Sequence, residues 1–323
     1  MANTPAASQE IQMPAHLGKP KNNVVKRFFK QLDIQLMVLP ALALIFVFAY
    51  MPMYGVLIAF QNYKLGADLL NNDWVGFKHF QDFFTSPEFY PVMRNTIVIS
   101  FLKLVFGFPA PIILALMLNE VRKMVFKRVV QTITYLPHFL SWVVIGGMVT
   151  SILATDNGSL NMVLEKLNFV DEPVNFLSLP EYFWSILVTT NVWKEIGFSS
   201  IIYLAAISGI DPHLYEAASM DGASRFRQMY LITLPCIMPV VIIFMILAIG
   251  NLLNAGFEDI LILASNPGLR DVSDSLDVFV VRVGIDNFRY SYATAIGLSK
   301  ALVSVTLLTI ANLLARRTGN SLW

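Results

Sequence analysis

Long apolar runs alternate with short polar connections along this chain, and the spacing of those runs determines the first reading. A spanning helix takes about 20 mostly apolar residues, because the bilayer core is roughly 30 Å thick and each backbone N–H and C=O must be satisfied within the segment. The stretches that meet this demand are Gln35 to Phe60, Val92 to Leu118, Val129 to Leu153, Tyr182 to Ser208, Cys236 to Leu263 and Ala293 to Ala315. The pattern predicts an all-α integral membrane protein with six transmembrane helices and both termini on one side. It is organised as a tail over 1–34, a six-span domain over 35–315 holding a polar loop over 209–235, and a short end over 316–323.

Composition sharpens this reading. Hydrophobic residues make up 56% of the 323 and charged residues 14%, an apolar share above that of soluble domains, so the lipid bilayer is the implied solvent. A net charge of +1, with no basic patch interleaved with aromatics, gives no reason to expect nucleic-acid binding. Cys236 is the single cysteine; it excludes an internal disulfide and a thiolate metal cluster, and is expected as a small buried apolar residue. The tail carries Pro5, Pro14 and Pro20, then Lys26, Arg27 and Lys30 ahead of the first apolar run. That run is too long for a cleaved signal peptide and reads as an uncleaved signal anchor.

Orientation follows from the loop cations. Lys19, Lys21, Lys26, Arg27 and Lys30 of the tail fall on one side with Arg122, Lys123, Lys127 and Arg128, with Arg225 and Arg227, and with Arg316 and Arg317. The opposite loops hold Lys64, Lys78, Lys166, Arg270, Arg282 and Arg289, offset by acids. Both termini and the loop over 209–235 are therefore expected in the cytoplasm.

Within that loop, Asp211 and Pro212 read as the cap and first position of a helix running to about Asp221. Gly222 can take the left-handed conformation that ends it. Ser224 can cap a second short helix, and Pro235 marks the turn into the fifth span, so two short helices are expected at the membrane surface. A purely structural helical hairpin is one reading of this pattern.

The residues favour another. Glu216, Ala217 and Ala218, three residues, Gly222, nine residues, then Ile232, Thr233, Leu234 and Pro235 resemble, position by position, the EAA signature of permease subunits of binding-protein-dependent ABC importers. The stretches MPMYGVLIAFQNYK, YLPHFLSW, NAGFEDILIL and VFVVRVGIDNFRYSYATAIGLSKA, and the basic end RRTGNSLW, resemble the carbohydrate-uptake branch and its oligo- and polysaccharide importers, those for acidic polymers such as alginate among them. The resemblance implies the type I importer permease fold, with the polar loop as coupling helices docked on a cytoplasmic ATPase. Glu216, Asp221, Arg225 and Arg227 would be charges for pairing across that interface, Ala217 and Ala218 would admit a second backbone, and Gly222 would permit the sharp turn. The implied partners are a second permease subunit, two cytoplasmic ATPase subunits that bind ATP and Mg, and an extracytoplasmic sugar-binding protein. The implied location is the bacterial inner membrane.

What is missing points the same way. No G-x-x-x-x-G-K-[ST] is present, so the chain cannot cradle nucleotide phosphates itself, and no H-E-x-x-H or G-x-S-x-G occurs. His16, His79, His138 and His213 are scattered, so neither catalytic nor metal-binding residues are assigned and no cofactor is expected in this chain. The rival from another class is a stand-alone secondary transporter or channel, against which the lack of a visible inverted repeat counts. A membrane-embedded enzyme or scaffold has no supporting chemistry.

Intramembrane polar residues are candidates for the substrate path. Asn191, Lys194 and Glu195 share a helical face by spacing; Lys194 and Glu195 either neutralise each other to lock helices or touch substrate. Asn251, Asn254 and Glu258 share a face in the fifth span, suited either to sugar hydroxyls or to interhelical hydrogen bonds. Lys103 and Lys300 either favour an acidic sugar or pair with carboxylates or carbonyls of the partner permease. Trp142 and Trp193 are stacking platforms for a pyranose or ordinary helix packing. The turn Asp156 to Gly158 and the acidic loop Asp271 to Asp286 are where a binding protein is expected to dock.

Overall fold

The computed structural model describes residues 32–64, 66, 72–317, 319, 321 and 322. The tail cations Lys19 to Lys30 used above for orientation lie outside them. Among the described residues the chain is helical, with one isolated bridge between Gln61 and Trp74.

Two compact units divide the chain, residues 1–55 and 56–323. In the first, α1 (Leu32–Ile45) contains Pro40 and continues as a π turn over Phe46–Tyr50. Leu36, Met37, Phe46 and Phe48 are all exposed, so the helix is apolar on every side, the condition of a segment solvated by lipid tails. The run Gln35–Phe60 has the length and hydropathy of a span.

The second unit begins within a 3-10 helix over Met51–Phe60 and continues through α2 (Lys78–Phe84) and α3 (Phe89–Leu102). A π turn over Lys103–Gly107 joins α3 to α4 (Pro109–Glu120), and the whole forms an apolar helix over Phe89–Glu120. Next come α5 (Met124–Tyr135), a 3-10 turn over Leu136–Phe139, and α6 (Trp142–Leu153). This pair is bent by 107°, which corrects the expectation of one straight span from Val129 to Leu153. The cause is local: Pro137 cannot donate a backbone hydrogen bond, Leu140 and Ser141 are extended, and the Ser141 hydroxyl caps the new helix by accepting from Val144 N.

After α7 (Ser159–Lys166) comes α8 (Pro180–Ser208), 29 residues long. It is long enough to cross a bilayer, about 43 Å at 1.5 Å per residue, yet it is not among the four helices apolar enough to qualify by composition. Asn191, Lys194 and Glu195 account for the difference. Phe183, Leu187, Thr190, Lys194, Gly197, Ser200, Tyr203 and Ile207 are buried along it, so protein rather than lipid surrounds one face. Gly197 lets α5 approach closely: a Cβ there would lie 2.1 Å from the carbonyl oxygen of Thr134.

The loop helix α9 (Pro212–Met220) precedes α10 (Arg225–Gln228), a π turn over Met229–Thr233 and α11 (Leu234–Gly250). The last three form one apolar helix over Arg225–Gly250. This is a correction at both ends. Pro235 lies inside the helix rather than in a turn, where the preceding π turn shifts the register around a ring that would otherwise meet the carbonyl one turn back. The span does not continue to Leu263: the chain leaves the helix after Gly250, and α12 (Glu258–Leu263) begins anew. Cys236, expected to be buried, is exposed.

The segment after α12 holds α13 (Arg270–Ser273) and α14 (Leu276–Val281), then a π turn over Arg282–Asp286 before α15 (Tyr290–Arg316). It is folded inward rather than forming a free acidic loop: Leu276, Phe279 and Val283 share a core with Phe83, Val92 and Tyr292. A second cluster joins Ile99, Phe183, Leu187 and Ile260, and a third joins Ile112, Ala115, Tyr203 and Ile237. Exposed rows such as Ile113 and Met117, or Leu302, Val305 and Leu313, are apolar surface for lipid or protein. The chain is a multi-pass membrane protein.

Candidate functional site

Several polar residues of the spans converge on one cavity of about 260 Å³. Asn191 and Glu195 of α8 line it with Ser100 of α3, Lys103 of the π turn, and Asn251 and Asn254 just beyond α11. The i, i+4 spacing of Asn191 and Glu195 puts both side chains on the cavity face. Asn251 and Asn254 reach it from the non-helical stretch after Gly250, where Asn254 Nδ2 donates to Asn251 Oδ1 at 2.9 Å. Glu258 does not join them; it is exposed at the start of α12. The shared helical face expected for these three residues is therefore replaced by a break that presents two amides.

Lys103 is not a free cation. Its ammonium pairs with the carboxylate of Asp259 and donates to the carbonyl of Ala255, and Asp259 is 3% exposed. Lys300 likewise pairs with Asp277. Both partners belong to this chain and not to a second permease. With these cations neutralised, the wall contributed here offers amides, a hydroxyl and the Glu195 carboxylate, a set that hydrogen-bonds hydroxyl groups.

Lys194 points away from the cavity. It is 5% exposed, and its Nζ donates to the carbonyl oxygens of His138 at 2.7 Å, Leu140 at 2.9 Å and Pro137 at 3.4 Å. Pro137 O also accepts from Leu140 N at 3.2 Å, but the carbonyls of His138 and Leu140 stand at the break between α5 and α6, so the ammonium acts as the cap of a broken helix. Its distance to Glu195 is 3.9 Å, and Glu195 instead bonds Nδ1 of His138 at 2.9 Å. The mutual neutralisation weighed from the sequence is thus secondary. Trp142 carries the Lys194 ammonium 5.5 Å from its ring centroid, and Trp193 lines a separate, largely apolar cavity of about 630 Å³ with Phe106 and Trp184. Neither tryptophan stands in the polar cavity.

The second candidate region is the loop over 211–230. The carboxylate of Asp211 caps α9 by accepting from His213 N at 3.0 Å. At the other end Gly222 has φ +74°, Ala223 N bonds Ala218 O at 2.9 Å, and Gly222 N bonds Ser219 O at 3.1 Å, which is the Schellman closure. Ser224 caps α10 through Arg227 N. Tyr215 OH meets Thr233 Oγ1 at 2.9 Å, tying α9 to the following span. Arg225 reaches Glu120 at the end of α4, 3.4 Å away, and Glu216 pairs with His213 at 3.2 Å. Glu216, Ala217, Asp221, Gly222, Arg225 and Arg227 are exposed and Ala218 is half-buried.

Sequence reasoning missed five participants. Met220 and Phe226, 88% and 74% exposed, flank Gly222 as the two most exposed large apolar side chains of the loop, and their place beside the polar and small residues there was the available signal. His138 and Asp259, the partners of Glu195 and Lys103, carry no sequence signal of their pairing, because both contacts are long-range. Ser100 Oγ, buried and without a hydrogen-bond partner among the described residues, adds a hydroxyl to the cavity wall.

The chain is similar to known proteins over most of its length. Residues 107–320 match the model of the family described as binding-protein-dependent transport system inner membrane component. The polygalacturonan/rhamnogalacturonan transport system permease protein YteP of Bacillus subtilis (strain 168) is 42% identical over 304 residues, 93% of this chain and 92% of the relative. Protein LplB of the same organism is 42% identical over 284 residues, 88% of each chain. A crystal structure of a bacterial ABC transporter involved in import of the acidic polysaccharide alginate aligns over 91% of this chain and 98% of its own, with a TM-score of 0.83 and 39% identity. The same measures of similarity hold for a chain of the alginate transporter solved with an alginate pentasaccharide-bound periplasmic protein, here over 92% of this chain. From the family match across two thirds of its length and relatives at 42% identity, this chain belongs to the binding-protein-dependent transport system inner membrane component family.

Proposed function

We propose that this chain is one of two permease subunits of an ATP-driven importer for an oligo- or polysaccharide delivered by an extracytoplasmic binding protein. The observation that carries the reading is the loop over 211–230. Its helices are capped by the side chains of Asp211 and Ser224 and closed by backbone hydrogen bonds at Gly222, yet Met220 and Phe226 stand uncovered on either side of that glycine. A loop that is well ordered internally and presents bare apolar side chains is built to be covered by a partner. A cytoplasmic ATPase docked there, with its partner copy, would bind ATP and Mg and drive the spans between outward and inward access. This chain would do no covalent chemistry.

Six spans result when α8 and the bent pair α5 and α6 each count as one crossing beside the four apolar helices. Protein on its buried face makes the polar residues of α8 tolerable. Cytoplasmic termini and an inner-membrane location follow from the loop cations and from the family. The polar cavity beside α8 is this chain's share of the sugar path, with Asn191, Glu195, Asn251 and Asn254 as hydroxyl-binding groups. With Lys103 and Lys300 both paired, the case for an acidic sugar such as alginate rests on the relatives rather than on a free cation in this cavity.

The test is ATP hydrolysis by the purified complex in lipid, with binding protein loaded from a panel of neutral and acidic oligosaccharides. Stimulation by one class supports the importer and names its sugar. A chain that purifies without an ATPase, or activity indifferent to every loaded binding protein, overturns the reading in favour of a stand-alone transporter or channel.

A further inference from the structure

Glu195 stands between two features that are otherwise separate. On one side it lines the polar cavity, with 37% of its side chain exposed. On the other it bonds Nδ1 of His138 at 2.9 Å. His138 belongs to the 3-10 turn Leu136–Phe139 at the 107° bend between α5 and α6. The imidazole is held by a second contact, flat against Phe198 with ring centroids 3.9 Å apart and planes 1° from parallel. The backbone of the same turn is gripped by the neighbouring Lys194. Consecutive residues of α8 therefore hold the bend, and only Glu195 of the two also faces the cavity.

We infer that Glu195 is a positioning residue that links occupancy of the polar cavity to the bend of the α5–α6 pair through His138. The inference rests on the saccharide reading above. A carboxylate accepts several hydrogen bonds, and saccharide hydroxyls are donors of the matching kind. A hydroxyl that donates to Glu195 either shares the carboxylate with the His138 ring or displaces it. Sugar and ring thus have a differential interaction with one group, the condition for a ligand to shift a conformational equilibrium. The bend is placed to transmit the shift, since α5 begins four residues after Glu120, the carboxylate that Arg225 of the polar loop reaches.

The test uses the whole complex in lipid nanodiscs, with binding protein loaded with tetragalacturonate or alginate pentasaccharide. Backbone hydrogen exchange over residues 136–145 and the ratio of loaded to unloaded ATP hydrolysis are read together. In the native complex the loaded binding protein changes exchange over 136–145. His138→Leu is expected to abolish that sugar-dependent change and to lower the stimulation ratio about fivefold or more, the lower end of typical coupling, with sugar-free hydrolysis unchanged. His138→Asn, whose Nδ2 can stand in for ring Nδ1, restores both. If the leucine variant does not assemble, the near-isosteric Glu195→Gln carries the same exchange test. Retention of the sugar-dependent change in His138→Leu or Glu195→Gln, or a change in exchange that is equal with and without sugar, overturns the inference and leaves a structural contact. A native complex indifferent to both loaded binding proteins overturns the saccharide reading itself and the inference with it, an outcome distinct from a responsive native complex whose variants respond equally well.

Discussion

The Lys194 ammonium lies 2.7 Å from the carbonyl oxygen of His138, so a side chain of α8 closes the open end of a neighbouring broken helix. Lys194→Met keeps the aliphatic stem and removes the cap. Each buried carbonyl left without a donor costs about 1–3 kcal/mol, and with the His138 and Leu140 carbonyls both affected the variant is expected to lose about 2–6 kcal/mol. The thermal midpoint of the purified complex should fall, while Lys194→Arg, which retains donors, falls less. An unchanged midpoint for the methionine variant would refute the capping role.

Gly197 admits no side chain. The added Cβ of Gly197→Ala would sit 2.1 Å from Thr134 O and 2.3 Å from its carbonyl carbon, and backbone cannot step aside as a flexible side-chain end can. Overpacking of this kind costs about 1–3 kcal/mol or more. The alanine variant should assemble poorly with reduced thermal stability, measured by size-exclusion yield and melting, whereas Gly147→Ala, with open space around it, should behave as the native chain.

The Lys103–Asp259 pair should show strong non-additivity. Lys103→Met leaves a carboxylate that is 3% exposed without its cation, a loss of about 3–5 kcal/mol for a buried charge stripped of its partner. The double variant Lys103→Met/Asp259→Asn should recover most of that stability. A double-mutant cycle read by thermal unfolding decides it: additive losses would mean the two groups do not depend on each other.

Gly222 acts through its backbone rather than through space. It has φ +74° with nothing within 4 Å of an added Cβ, so Gly222→Val meets conformational strain of about 1–3 kcal/mol confined to the loop. Uptake into liposomes should be lost while affinity for loaded binding protein is unchanged. Normal uptake by this variant would remove the loop from the coupling mechanism.

Much of this molecule was legible from the chain alone. The apolar runs locate the long helices because a bilayer leaves the backbone no other partner, and the polar loop announced its cap at Asp211, its closure at Gly222 and its second cap at Ser224. Those signals are local, carried by residues a few positions apart. The errors came where local pattern competes with packing. Apolar continuity from Val129 to Leu153 hid the bend, although Pro137 and Ser141 stood in the middle of it. The run from Cys236 toward Leu263 hid the break after Gly250, and Pro235 was read as a turn where a π turn absorbs it.

The sequence by itself determined the helical class, the long apolar segments, the caps of the loop over 211–230 and the list of polar residues inside the spans. Only the tertiary structure decided what those polar residues do. It turned Lys194 to the broken helix, gave Lys103 and Lys300 to Asp259 and Asp277, and left Asn191, Glu195, Asn251 and Asn254 around one cavity. The reason is physical: an intramembrane charge or amide must find a partner, and which partner is in reach depends on contacts between residues as far apart in sequence as Lys103 and Asp259, for which one-dimensional spacing carries no signal.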